Sequence, residues 1–234
     1  HGTNRRQRQM CIRDRFKRAG VTTKNRLVLA AMTNKQSFDS GRISESEIRW
    51  LVRRSEGGFG IITTAATHVS KCGKAWKGEF GVFDNKFIKP LFSLTKRIHS
   101  HGSLVIAQLF HGGIRSPEYL TGVQPVSASI VECKESVSGF SRKATQDDIK
   151  KIINDFTAAA KRCAEAGFDG VEIHGAHGYL ISQFLSKTIN QRLDKWGGDL
   201  EGRSKLLIEI IQSIKRHVPE NFIVGVRLSP EIES

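Results

Sequence analysis

Residues 167–196 read GFDGVEIHGAHGYLISQFLSKTINQRLDKW. Gly167 follows a stretch with helical periodicity and stands where a helix-terminating glycine belongs. The apolar run after Asp169, centred on Val171-Glu172-Ile173, is too short for a helix and reads as a buried strand. It leads straight into His174, His177 and Tyr179. The local order is therefore helix, turn, strand, polar loop. In parallel α/β architectures the loops at the C-terminal ends of strands build the functional site, because rigid strands aim the first loop residues at a common centre. A histidine or tyrosine there can also be a packing residue whose polar tip meets the backbone. Three of them at i, i+3 and i+5, separated by glycines that let a ligand approach the backbone, fit a site better than packing. Two imidazoles can donate hydrogen bonds to one oxygen while a phenol beside them delivers a proton. That combination suits polarising a carbonyl and protonating its neighbour.

The rest of the sequence repeats the strand-helix theme. Leu27-Val28-Leu29-Ala30 is a short apolar strand, and Asp39-Ser40-Gly41 has turn composition. Ser44 with Glu47 three residues on predicts a capping box, followed by a helical face of Ile48, Leu51 and Val52. A second strand runs from Gly60 to Thr64 and ends at Ala65-Ala66-Thr67. Its helix carries Ile88, Leu91, Phe92, Thr95 and Ile98. Leu104 to Leu109 is a third strand. Residues 110–144 then form a connection too long to be structureless in a compact domain, and a hairpin lid is expected there. Thr145 with Asp148 caps a helix whose apolar positions, Ile149, Ile152, Ile153, Phe156, Ala160 and Cys163, recur every three or four residues. After the opening stretch, Leu206, Leu207, Ile210, Ile214 and Val218 mark another helix, stopped by Pro219, and Phe222 to Leu228 is a fifth strand. Such alternation implies one α/β domain with a parallel sheet of right-handed units.

The run AGFDGVEIHGAHGYLISQFLS, followed by Asn190, Arg192, Asp194, Gly197-Gly198 and Arg203, resembles the old yellow enzyme family, the FMN-dependent NADH:flavin oxidoreductases and ene-reductases. The similarity continues in order from about Phe16 to Pro230, with Lys187, Leu193 and Gly202 departing from the residues usual there. The resemblance implies a TIM (β/α)8 barrel that is incomplete over residues 16–234. About the first five strand-helix units would be present, with the barrel truncated at its C-terminal end. It implies FMN as cofactor, NADH or NADPH as hydride donor, and reduction of the C=C bond of a small enone or enal. His174 and His177 would hold the substrate carbonyl, and Tyr179 would protonate the α-carbon. On the cofactor side it points to Ala30, Ala31, Met32 and Thr33 after the first strand, Ala66 on the second, Gln108 on the third and Arg227 on the fifth. Read from the residues alone, Gln108 could instead be a buried amide bonded to backbone. Arg227, costly at the end of an apolar strand without an anionic partner, could instead pair with Glu172. A fragment lacking the last strands is expected to bind FMN weakly and to be poorly active, because barrel phosphate sites commonly lie on the loops after the seventh and eighth strands.

Composition sets the remaining bounds. A length of 234 residues is enough to bury a substantial core yet short for a whole barrel. Cys11, Cys72, Cys133 and Cys163 are widely spaced, which argues against structural zinc or a disulfide framework, and no metal site is expected. Without a membrane-length apolar run or a signal segment, the expectation is a cytoplasmic protein in a reducing compartment. The net charge of +14 raises a nucleic-acid reading. Yet Arg5, Arg6, Arg8, Arg13 and Arg15, against the single acid Asp14, put four of the fourteen charges in residues 1–15, expected to be a disordered or foreign arm. The other basic residues are scattered, and no specific nucleic-acid or membrane partner is expected. Two rivals stay open: a dienoyl-CoA reductase or amine dehydrogenase type flavoenzyme, whose iron-sulfur cysteines would lie beyond residue 234, and a non-catalytic basic binding protein. Self-association of a full-length form is also left open.

Overall fold

A computed structural model describes residues 14–18 and 20–229. In sequence order the elements begin with an antiparallel pair, β1 (Phe16–Arg18) and β2 (Val21–Thr23). There follow β3 (Val28–Leu29), α1 (Glu45–Glu56), β4 (Ile61–His68), α2 (Ile88–His99), β5 (Leu104–Phe110) and a short α3 (Glu118–Thr121). Next come β6 (Val126–Ser127), β7 (Arg142–Lys143), α4 (Gln146–Glu165), β8 (Gly170–Gly175), α5 (Leu180–Leu185), α6 (Leu200–His217) and β9 (Ile223–Leu228). The main sheet has the order β3-β4-β5-β8-β9, and every pair in it is parallel. Consecutive parallel neighbours joined by helices are the repeating unit of a (β/α)8 barrel. The described residues build five of its strands as an open arc.

The helices cover the outer face of this arc. Each buries the stripe that its 3.6-residue period sets: Ile48, Leu51 and Val52 on α1, Leu91, Leu94 and Ile98 on α2, Ile149, Ile152, Phe156 and Cys163 on α4, Leu206, Ile210 and Ile214 on α6. A large apolar residue in such a stripe contributes about 1.5–3 kcal/mol when fully buried. The flanks of the arc are less covered, with Val28 of β3 54% and Leu228 of β9 58% exposed, as expected of strands with one paired neighbour.

Several sequence expectations are refined. The antiparallel pair β1–β2 adds to them, since three-residue strands carry too little periodicity to read. Strand β4 runs on to His68, so Ala66 lies within it and not at its end. The capping box at Thr145 and Asp148 is complete, side chain to backbone in both directions. The one at Ser44 is half formed: Ser44 Oγ accepts from Glu47 N at 3.1 Å, but the Glu47 carboxylate turns inward to the Ser37 hydroxyl, which also accepts from Ser44 N. Burial against the loop after β3 outweighs the return bond to the cap. In the 110–144 connection β6 and β7 pair in parallel, and the expected hairpin is reduced to one antiparallel bridge, Glu132 with Phe140. This excursion is tied to the 186–196 loop, where Arg192 Nη1 donates to Ala128 O at 3.0 Å and Ala144 O at 2.7 Å. Gly202 has a local cause: a Cβ there would lie 2.0 Å from Gly197 O. The expectation for residues 1–15 falls outside the described residues, except at Asp14 and Arg15, which are exposed.

Candidate active site

The C-terminal ends of β5 and β8 meet in an aromatic and imidazole cluster. His174 is the next-to-last residue of β8, and its ring centroid lies 5.0 Å from that of His177 and 4.9 Å from that of Tyr179, both edge to face. Phe110, the last residue of β5, packs edge-on against Tyr179 at 5.1 Å and stacks at 5.3 Å on Trp76, from the loop after β4. Three expected residues are thus together, with an aromatic wall behind them.

Burial sets the protonation of His174 and Tyr179. His174 is buried, and its Nδ1 accepts from Ala176 N at 3.3 Å, so the ring proton sits on Nε2. Burial first, then the charges of His177, Arg227 and Arg115, push its pKa down to about 4. The ring is neutral at pH 7 and acts as a donor. His177 is exposed and has φ of 58°, left-handed backbone that a non-glycine residue adopts at a cost of about 1–3 kcal/mol. Two bonds hold it there: His177 N donates to Ser229 Oγ at 3.2 Å, and its carbonyl accepts from Arg115 Nη1 at 2.9 Å. Burial raises the Tyr179 phenol above its usual range while the Arg115 charge lowers it, so the phenol keeps its proton near neutrality.

The expected cofactor residues line the same end of the sheet. Ala30, Ala31, Met32 and Thr33 follow β3 directly, with Met32 and Thr33 exposed. Ala66 is the registered partner of Gln108 across β4 and β5, and His174 that of Arg227 across β8 and β9. Gln108 meets neither backbone nor open solvent alone: its Nε2 donates to Glu172 Oε1 at 2.6 Å. Glu172 makes no ion pair with Arg227, whose guanidinium has no hydrogen bond or ion pair among the described residues.

A family model for NADH:flavin oxidoreductases / NADH oxidases matches residues 16–233. The protein belongs to this family. A probable NADH-dependent flavin oxidoreductase of Bacillus subtilis is 38% identical over 218 residues, covering 92% of this chain and 58% of that protein. An NADPH dehydrogenase of Clostridium acetobutylicum is 38% identical over 208 residues, covering 89% of this chain and 60% of the other. The crystal structure of Old Yellow Enzyme from Pichia sp. AKU4542 matches with a TM-score of 0.88 and 28% identity, over 94% of this chain and 60% of that one. The chain therefore spans about three fifths of these relatives.

Membership of this flavin oxidoreductase family implies FMN, and the residues present fit its ring system. A planar heterocycle with a polar edge and an electron-rich N1 side needs scattered donors and acceptors and one cation. Thr33 Oγ1, Gln108 Oε1 and the Arg227 guanidinium are without hydrogen-bond partners among the described residues, with Thr33 in the loop after β3, Gln108 inside β5 and Arg227 next to last in β9. Sequence reading missed Trp76, Phe110 and Arg115. Phe110 obeys the strand-end rule that found His174, but Trp76 and Arg115 sit in connections whose path only tertiary packing sets.

Proposed function

We propose that this protein forms the catalytic part of an FMN-dependent ene-reductase acting on small α,β-unsaturated carbonyl compounds with NADH or NADPH as donor. The observation that carries the reading is the convergence of a buried neutral imidazole, an exposed imidazole and a protonated phenol, with ring centroids about 5 Å from His174. The chemistry a bound FMN supplies is hydride relay from the nicotinamide to the β-carbon. Ala30 to Thr33, Ala66, Gln108 and Arg227 would hold it, with Arg227 offsetting negative charge on the reduced ring. His174 Nε2–H and His177 donate to the substrate carbonyl and draw electron density from the alkene. Tyr179 then gives its proton to the α-carbon. Trp76 and Phe110 keep water from the phenol on one side and give a flat substrate an apolar wall.

The test is Tyr179→Phe in the FMN-loaded protein. Alkene reduction slows by about a hundredfold or more, the scale of a lost general acid, while flavin reduction by the nicotinamide keeps its rate. Equal slowing of both half-reactions would sink the assignment.

A further inference from the structure

The geometry points to Arg115 as a positioning residue that stabilises the phenolate of Tyr179 and fixes His177, so that the proton donor and the carbonyl clamp are set by one guanidinium. The inference rests on the ene-reductase reading for its role in turnover, but its physical content, a cation over the Tyr179 ring that also bonds the His177 carbonyl, does not. Arg115 Cζ lies 4.8 Å from the centroid of the Tyr179 ring, over its face. Its Nη1 donates to the His177 carbonyl at 2.9 Å. It has no carboxylate partner among the described residues, so its charge is not cancelled locally.

The placement is built into the fold. Arg115 ends the helical turn Gly113–Arg115 after β5, and Tyr179 is the N-cap of α5. The wholly buried Gln183 of α5 braces the two against each other. Its Nε2 donates to Gly178 O at 2.7 Å and to Gly112 O at 3.3 Å, while its Oε1 accepts from Ile114 N at 3.3 Å. Gly113, with φ of +63°, admits this contact, since a Cβ there would stand 2.4 Å from Gln183 Oε1. A surface arginine with no such support would lose its stacking to side-chain entropy.

In the proton-transfer step the Tyr179 O–H bond breaks and its proton forms the new C–H bond at the α-carbon. The electron pair of the O–H bond stays on the phenolate oxygen, the new C–H bond takes its pair from the alkene π bond, to whose β-carbon a bound reduced FMN would supply hydride, and solvent later returns the proton. Burial works against this step by disfavouring the phenolate. A cation over the ring face favours the anionic ring more than the neutral one, so Arg115 offsets the effect of burial.

The experiment follows the near-ultraviolet phenolate absorbance against pH. Only Tyr119 and Tyr179 occur in residues 1–234, and subtracting the titration of the Tyr179→Phe variant isolates the Tyr179 phenol. Arg115→Met should move its midpoint up by about one pH unit, the usual effect of a cation within about 5 Å. Arg115→Lys, which keeps the charge without the flat stacking, should fall between the two. Added salt should raise the midpoint of the native protein and leave that of Arg115→Met unchanged. An unmoved midpoint in a folded Arg115→Met protein overturns the proposal. A moved midpoint alongside full-rate alkene reduction by Tyr179→Phe would leave the electrostatic pairing standing and remove the ene-reductase reading instead.

Discussion

Glu47 offers a stability experiment with a defined sign. It sits at the third position of α1, fully buried, with Ser37 Oγ donating to Oε2 and with Oε1 unbonded among the described residues. Burial pushes its carboxyl up from 4.5 to about 7, more than the Ser37 bond lowers it. Between those values the native protein holds the proton and the unfolded state releases it, so stability falls as pH rises through the window. At 1.36 kcal/mol per tenfold change, the full loss by pH 8 is about 3 kcal/mol. Glu47→Gln removes the ionisation and keeps the shape. Its stability relative to the native protein should therefore climb by about 3 kcal/mol from pH 4 to pH 8, or about 6–12 °C in Tm for a domain of this size. The buried amide N–H groups add a constant cost of about 1–3 kcal/mol, which moves both ends of the comparison equally. Urea unfolding of both proteins at pH 4, 6 and 8 measures the slope. A pH-independent difference would mean that Glu47 stays ionised in the fold, and that the loop after β3 is held by charge instead of by a neutral acid.

Three further outcomes are expected. Replacing both His174 and His177 by alanine should abolish binding of phenolic carbonyl mimics to the FMN-loaded protein while the flavin stays bound; calorimetry with such a ligand checks it, and retained affinity would remove the pair from the carbonyl clamp. Arg227→Gln should weaken FMN binding by about tenfold or more and lower the flavin potential, since a charge-assisted bond contributes about 1.5–3 kcal/mol; an unchanged potential would show that the guanidinium does not face the reduced ring. His111, whose buried ring has its pKa pushed down to about 3 chiefly by burial, should make the fold acid-sensitive. The unfolded state takes up a proton as pH falls below 6.5 while the native ring does not, so about 2–3 kcal/mol is lost between pH 7 and pH 4.5. His111→Asn, which can still accept from Gly113 N, should flatten that limb in urea unfolding; an unchanged slope would place the acid sensitivity elsewhere.

The alternation of elements was legible along the sequence because period and punctuation are local. Gly167, the Thr145–Asp148 box and the stripe on α4 are each set by residues within a few positions of one another. The imidazole and phenol set was legible for the same reason: His174, His177 and Tyr179 lie within six residues, and a strand end fixes their direction. What the sequence did not disclose depends on residues far apart along it. The Ser44 box looked complete until Ser37 took the Glu47 carboxylate. Along the sequence Gln108 could bond backbone and Arg227 could pair with Glu172; in the fold Glu172, 64 residues from Gln108, accepts from its amide, and the Arg227 guanidinium has no hydrogen bond or ion pair among the described residues. Trp76 and Arg115 enter the site from two different connections and Phe110 from the end of β5, and the turn that carries Arg115 is braced against the Tyr179 turn by Gln183, 69 residues beyond the Ile114 amide it accepts from. Periodicity decides which face of an element is apolar. Which elements meet, and so which buried charge finds which partner, is decided only when the strands align and the loops at their C-terminal ends compete for the same donors.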